Sequence, residues 1–279
     1  MREISAETIR DTVSELCIEA NLHLPADITA ALKKAKENES WPTAERSLCL
    51  LEDNVRIANE KCLPICQDTG AACVFAEIGQ DVHITGDFEE AVNEGVRRGY
   101  TDGYLRKSIV TDPIRRGNTG DNTPAFITVH LVPGDEMKIT VLPKGFGSEN
   151  MSRLAMLMPA DGLEGIVKFV VDTVKEAGSN PCPPIVLGVG IGGTFDKVAY
   201  LAKKGLMRPL DIPNPDPYYA ELEARLLHEI NALGIGPQGF GGRTTCLGVQ
   251  IEQLPTHVAG MPVAVNVSCH VTRRATRTI

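Results

Sequence analysis

The chain has 279 residues, 43% of them hydrophobic and 23% charged, with a formal net charge of −8 at pH 7; this is an ordinary globular composition, long enough for a real core in one large domain or two small ones. The negative charge argues against a general nucleic-acid binder, although Arg273, Arg274 and Arg277 make a local basic patch near the C-terminus. No apolar run reaches the length of a membrane span or a signal-peptide core, so a cytoplasmic protein with no membrane contact is expected, and the eight cysteines are too sparse for a small disulfide scaffold.

Residues 6–22 place Ile9, Val13, Leu16, Cys17 and Ala20 at helical spacing, which predicts a first helix with Cys17 as a core filler. Asp27 is expected to cap a second helix carrying Ile28, Ala31 and Leu32. Pro42 is suited to the first turn of a third helix over 43–60, in which Cys49 also reads as core. The helical opening ends at Cys62-Leu63-Pro64-Ile65-Cys66-Gln67-Asp68-Thr69-Gly70. Its last five residues bring together a candidate thiolate, an amide, a carboxylate and a turn glycine. That run is too polar for a strand interior and is bracketed by Pro64 and Gly70, so it reads as a loop. Taken alone, it is equally a surface turn with one incidental cysteine.

Residues 71–78 read as a buried strand, and Asp87 then caps a helix bearing Phe88, Val92, Val96 and Tyr100. Two polar stretches follow, Tyr104 to Ser108 and Arg115 to Asn122. The strand-like runs 125–132 and 137–142 are joined by Pro133-Gly134-Asp135, a hairpin signal that makes the sheet at least partly antiparallel. After a glycine-interrupted loop from Lys144 to Asn150, residues 161–177 form an amphipathic helix, and 185–189 a short buried strand. A helix over 196–203, a proline-rich connection over 209–217 and a helix to about residue 233 come next. A glycine-rich loop over 234–242 leads to apolar runs around Cys246 and over 263–269. The expected fold is α/β in the mixed α+β sense: a helical N-terminal layer over 1–60, then mixed, partly antiparallel sheets flanked by helices. No linker or composition break divides the chain, so one domain over 1–279 is expected.

Gly188-Val189-Gly190-Ile191-Gly192-Gly193 follows a strand and precedes a helix, as a dinucleotide-binding turn does. That fingerprint also requires an early strand–helix–strand unit and an acidic residue closing the next strand, and here the next segment runs into the loop Asp211-Ile212-Pro213. Nicotinamide binding is therefore disfavoured, while an anion or a close backbone approach is still compatible with the turn.

Cys66, Cys182 and Cys269 each lie in or beside an irregular segment: before Gln-Asp-Thr-Gly, between prolines, and after Asn-Val-Ser. None forms a C-x-x-C pair, which disfavours a zinc ribbon or a ferredoxin-type carrier. Dispersed cysteines can still converge in a fold, and three ligands on a four-iron cluster leave one iron open for Lewis-acid chemistry. Composition alone favours eight unrelated buried thiols.

The residues Cys66-Gln67-Asp68-Thr69-Gly70, Leu105-Arg106-Lys107-Ser108, Asn118-Thr119-Gly120-Asp121-Asn122-Thr123-Pro124, Gly188 to Thr194, and Leu254-Pro255-Thr256-His257 followed by Val267-Ser268-Cys269 occur in that order. Together they resemble the class I fumarase and L-tartrate dehydratase family, specifically its α subunit or N-terminal half, from about residue 10 onward. The resemblance implies an oxygen-sensitive [4Fe-4S] hydro-lyase in which Cys66, Cys182 and Cys269 bind three irons and the fourth, open iron takes substrate. It also implies that Gln67 and Asp68 face the substrate, Asp68 as a proton-transfer or orienting carboxylate, and that Arg106 clamps a substrate carboxylate. His257 would reach a carboxylate in the neighbouring protomer's site. Gly147 lies in a loop matching a substrate-side glycine loop, although Gly145-Phe146-Gly147 departs from the family's commoner run of glycines. His23, His83, His130, His228 and His270 read as structural.

The implied reaction is reversible addition of water across a carbon–carbon double bond beside carboxylates. Arg106, Lys107, Arg115, Arg116 and His257 are expected to make the site locally positive for a small dicarboxylate: fumarate/malate or L-tartrate, then a mesaconate-type relative. The chain stops ten residues after Cys269, so the resemblance implies a separate β subunit that supplies the carbon-acid base, with α chains dimerising in an α2β2 assembly. A non-catalytic iron–sulfur or zinc-binding interaction module using the same cysteines is the alternative.

Overall fold

The structure, a computed structural model, describes residues 2–279. In chain order its elements are β1 (Arg2–Ser5), α1 (Ala6–Leu22), α2 (Ala26–Asn38), α3 (Pro42–Lys61), β2 (Ala71–Gly79), β3 (Val82–Thr85), α4 (Phe88–Asp102), β4 (Phe126–Val132) and β5 (Met137–Lys144). Then come the single turn α5 (Phe146–Glu149), β6 (Arg153–Leu157), α6 (Gly162–Ala177), β7 (Ile185–Gly192), α7 (Phe195–Gly205), α8 (Pro217–Asn231), β8 (Cys246–Leu254), β9 (Met261–Ser268) and β10 (Ala275–Thr278). The fold is mixed α/β.

The chain divides into two compact units, each discontinuous in sequence. The first comprises residues up to Pro25, Val55–Phe146 and Arg273–Ile279; the second comprises Ala26–Asn54 and Gly147–Thr272.

In the first unit, a sheet of order β10-β5-β2-β4 pairs β2 with β4 in parallel and with β5 antiparallel. The expected hairpin between 125–132 and 137–142 is therefore absent: β2 lies between the two runs. Their connection arches over the end of β2, where Gly79 N donates to Glu136 O and Asp81 N to Gly134 O, both at 2.9 Å. Strand β2 is buried along almost its whole length, as a strand paired on both edges and covered on both faces must be. Helices α1 and α4 supply Ile9, Val13, Leu16, Val92, Val96 and Tyr100 to the core against Val74, Ala76, Ile139 and Val141. Ser5 and Asp87 cap these helices, accepting from Thr8 N and Glu90 N. Residues 2–5 form a strand that pairs in parallel with β3.

In the second unit the sheet order is β6-β9-β7-β8, again with one parallel pair (β7 with β8) and antiparallel neighbours. Its core joins Ile166, Val170 and Val174 of α6 and Leu222, Leu226 and Ile230 of α8 to the sheet. Asp27 does not cap α2; it sits in the first turn, and its Oδ2 accepts from Leu210 N at 2.9 Å. Cys49, expected in the core, is only half-buried.

The glycine run beginning at Gly188 is a packing device. Gly188 and Gly190 lie inside β7 under α7, where a Cβ on Gly188 would come within 1.9 Å of Ala202 O and one on Gly190 within 2.2 Å of Val198 O. Only glycine allows helix and strand to approach that closely.

Candidate functional site

The loop from Ile65 to Gly70 joins α3 to β2 in the first unit, and side-chain and main-chain bonds fix it at Ile65 and over Asp68–Gly70. Ile65 N donates to Asn21 O at 3.0 Å. The buried Tyr100 hydroxyl lies 2.9 Å from both Thr69 O and Gly70 O, and Asn122 Nδ2 donates to Gly70 O at 3.2 Å. Arg273 Nη2 donates to Asp68 O. Gly70 turns the chain at φ +77°, with no room for a Cβ beside Lys144 and Pro143.

Asp68 is half-buried, and both of its carboxylate oxygens are engaged. Oδ1 accepts from Gly70 N at 3.0 Å and Oδ2 from Phe146 N at 2.9 Å. The carboxylate therefore does cap its turn, and the second bond also fixes its direction. Gln67 beside it is exposed and Cys66 half-buried.

Arg106 belongs to the same neighbourhood. Thr69 Oγ1 accepts from Arg106 N at 2.9 Å and donates to Arg106 O at 3.2 Å, bolting the two loops together and leaving the guanidinium exposed. The Asn118–Pro124 run closes around this pair. Asn122 Oδ1 accepts from Ser108 N at 2.7 Å, and Asp121 accepts from Thr123 N, the Thr123 hydroxyl and Arg97 Nε at 2.8 to 3.0 Å. Burial alone would raise the Asp121 pKa, but these donors outweigh it and hold the carboxyl at about 2.

In the second unit, Cys182 and Cys269 come from segments that meet. The Cys182 carbonyl accepts from His270 N at 3.4 Å and from His270 Nδ1 at 2.9 Å. Cys182 itself is exposed at φ +54°, and Cys269 is half-buried with its carbonyl taking the Thr272 hydroxyl at 2.8 Å. Gly147 is exposed in α5, with nothing within 4 Å of a would-be Cβ. Immediately after it, Asn266 Nδ2, three residues before Cys269, donates to Glu149 at 2.7 Å and to the Ser152 hydroxyl at 2.9 Å. His257 is exposed in the β8–β9 connection, its Nδ1 accepting from Ala259 N at 3.2 Å.

The donor chemistry of the three cysteines suits a metal cluster better than that of Cys17 and Cys246. Burial pushes those two thiols up to about 12, far from the thiolate a metal requires. Cys66, Cys182 and Cys269 all lie in irregular segments with some solvent access. Among the described residues no three His, Cys, Asp or Glu side chains stand grouped as a metal site.

Several residues that shape this site escape a reading of the sequence. Tyr100 looked like one more apolar position on its helix, and His270 like a structural histidine. Arg273 looked like part of a basic patch, yet it is 3% exposed. Arg277, from the same patch, pairs with Glu15 and Glu19.

The family model for Fumarate hydratase (Fumerase) matches residues 10–278. A Methanocaldococcus jannaschii protein, provisionally named as an L(+)-tartrate dehydratase subunit alpha, is 42% identical over 97% of both chains. The L(+)-tartrate dehydratase subunits alpha of Escherichia coli strains UTI89 and K12 are 33% and 32% identical, each match covering 99% of this chain and 92% of theirs. With its length matched almost end to end, the chain belongs to the fumarate hydratase family and is an enzyme chain of that hydro-lyase type.

Proposed function

We propose that this chain is the cluster-binding α subunit of a [4Fe-4S] hydro-lyase that reversibly hydrates a small dicarboxylate, fumarate/L-malate or L-tartrate, with a separate β subunit completing the site. The observation that carries the reading is the pair of hydrogen bonds by which Thr69, next to Cys66-Gln67-Asp68 in sequence, holds the main chain of Arg106, in a chain matched to the family over residues 10–278. Cys66, Cys182 and Cys269 would hold the cluster. When bound, it supplies an open Lewis-acidic iron that makes hydroxide a tolerable leaving group.

The chain's own residues do the rest. The exposed Arg106 guanidinium, anchored by its main chain, offers a planar fork for one substrate carboxylate. Gln67, exposed at the loop apex, offers an amide donor and acceptor to a hydroxyl or second carboxylate. Asp68, held by two amides, receives or returns a proton at a carboxylate oxygen from a fixed position. Gly147 gives main-chain access without a side chain, and His257 serves the neighbouring protomer. The relatives are named as alpha subunits, which supports a separate β subunit; the α2β2 assembly and a carbon-acid base supplied by β are part of the proposal.

The test is iron and acid-labile sulfide content of anaerobically purified protein, with electron paramagnetic resonance before and after brief oxidation, followed by dehydratase assays with and without β. About four irons per chain, with one readily lost, supports an open-iron cluster. No iron after anaerobic reconstitution overturns the reading, tightly bound zinc in its place points to the interaction module, and full activity without β overturns the two-subunit site.

A further inference from the structure

The Asp68–Gly70 turn gives all three of its carbonyls to buried side chains. Those of Thr69 and Gly70 go to Tyr100 and Asn122, both 0% exposed and neutral. That of Asp68 goes to a cation, Arg273, which is 3% exposed. Its Nε lies 3.4 Å from Pro143 O, and its Nη1 is buried with no partner among the described residues. Among those residues, two main-chain oxygens thus carry its hydrogen bonding. A buried guanidinium satisfied only in part loses more hydration than two carbonyls return, so stability alone does not account for it.

Position does account for it. The two carbonyls belong to the two stretches of chain that meet at the Asp68 carboxylate, its own loop and the end of β5. Beyond Pro143, Phe146 N donates to Asp68 Oδ2, and a Cβ on Gly145 would lie 3.1 Å from that same oxygen. A planar guanidinium can span both stretches at once, whereas an ammonium is a single point.

We infer that Arg273 is a positioning residue for the Asp68 carboxylate: it clamps the Asp68 main chain against the Pro143–Phe146 segment and thereby sets the direction of the carboxylate without touching substrate. The catalytic consequence rests on the function proposed above, while the clamp itself can be tested apart from it.

The experiment compares full-length wild type with Arg273→Lys and Arg273→Met. In cluster-free protein, amide hydrogen exchange is followed at Gly70 and Phe146, the two amides donated to Asp68, with the amides of residues 74–78 in β2 as reference. Both variants should exchange at those two positions about tenfold faster or more, with the β2 amides unchanged. In the α–β holoenzyme, kcat should fall about tenfold or more with KM held within about threefold, because orientation is lost and substrate contacts are kept. Unchanged exchange at Gly70 and Phe146 in both variants overturns the clamp. Faster exchange spread equally over β2 reduces Arg273 to a general structural role and also overturns it. Faster local exchange with unchanged kcat removes the positioning role. A wild-type protein with no cluster and no dehydratase activity would sink the proposed function, yet the exchange result would still decide the clamp. If Arg273→Met does not fold, Arg273→Lys, which keeps the charge, carries the test.

Discussion

Asp121 shows how much of a polar motif can be scaffold. It stands among residues that resemble a family signature, yet its carboxylate serves Thr123 and Arg97, and those bonds shape the turn that carries Asn122 to Gly70 and Ser108. Its folded pKa of about 2 lies below the ordinary aspartate value of 3.8, so its contribution is complete above pH 3.8 and is lost as pH falls through 2. Allowing for its partial exposure, that contribution is on the order of 1 to 2 kcal/mol. Asp121→Asn should therefore lower stability by about that amount at pH 7. In denaturant titrations the gap to wild type should narrow as pH is taken from 4 towards 2; a gap independent of pH would show that ionisation is irrelevant.

Elements are decided by how closely their backbones approach, and two glycines separate packing from function. Gly188→Ala drives a methyl into Ala202 O, at 1.9 Å from an ideal Cβ, so α7 must lift off β7 at a cost of about 3 kcal/mol or more, read as a lower urea midpoint. Gly147→Ala meets nothing within 4 Å and has no positive φ, so stability should stay within about 0.5 kcal/mol. If the Gly147 main chain faces substrate, KM for the dicarboxylate should still rise about tenfold; an unchanged KM would remove Gly147 from the site. The same contrast explains what the sequence could reveal. Helical periodicity located α1 and α6 within a residue of their ends, and the Asp87 cap marked the start of α4, because an apolar stripe and a cap are local properties. The hairpin failed because strand order is not local: nothing in residues 125–142 announces that β2 will lie between them. The site divides along the same line. The Cys66–Gly70 run was legible as an irregular polar loop, whereas Arg273 and Tyr100, which hold its carbonyls, read as a surface charge and a core aromatic because burial depends on the whole fold.

At the scale of the molecule, the proposed ligands lie in three far-separated stretches of sequence, and that dispersal has a thermodynamic consequence. An unfolded chain cannot present Cys66, Cys182 and Cys269 together, so a cluster that needs all three binds the folded state selectively and stabilises it. Reconstituted protein should then melt about 5 °C or more above the cluster-free protein. Cys66→Ser, Cys182→Ser and Cys269→Ser should each abolish that difference while leaving the cluster-free melting temperature nearly unchanged, since none of the three is fully buried. Cys73→Ser and Cys246→Ser should behave in the opposite way. Both residues are buried, so a hydroxyl there lowers the melting temperature itself, but the increment from the cluster persists. Cys62→Ser, at an exposed position, should change neither quantity. Thermal melts of the six variants, with and without anaerobic reconstitution, separate ligands from core fillers without any assay of turnover. An increment that survives loss of Cys182 would remove that residue from the ligand set; an increment lost in every variant would mean that folding in general, not ligation, is being measured.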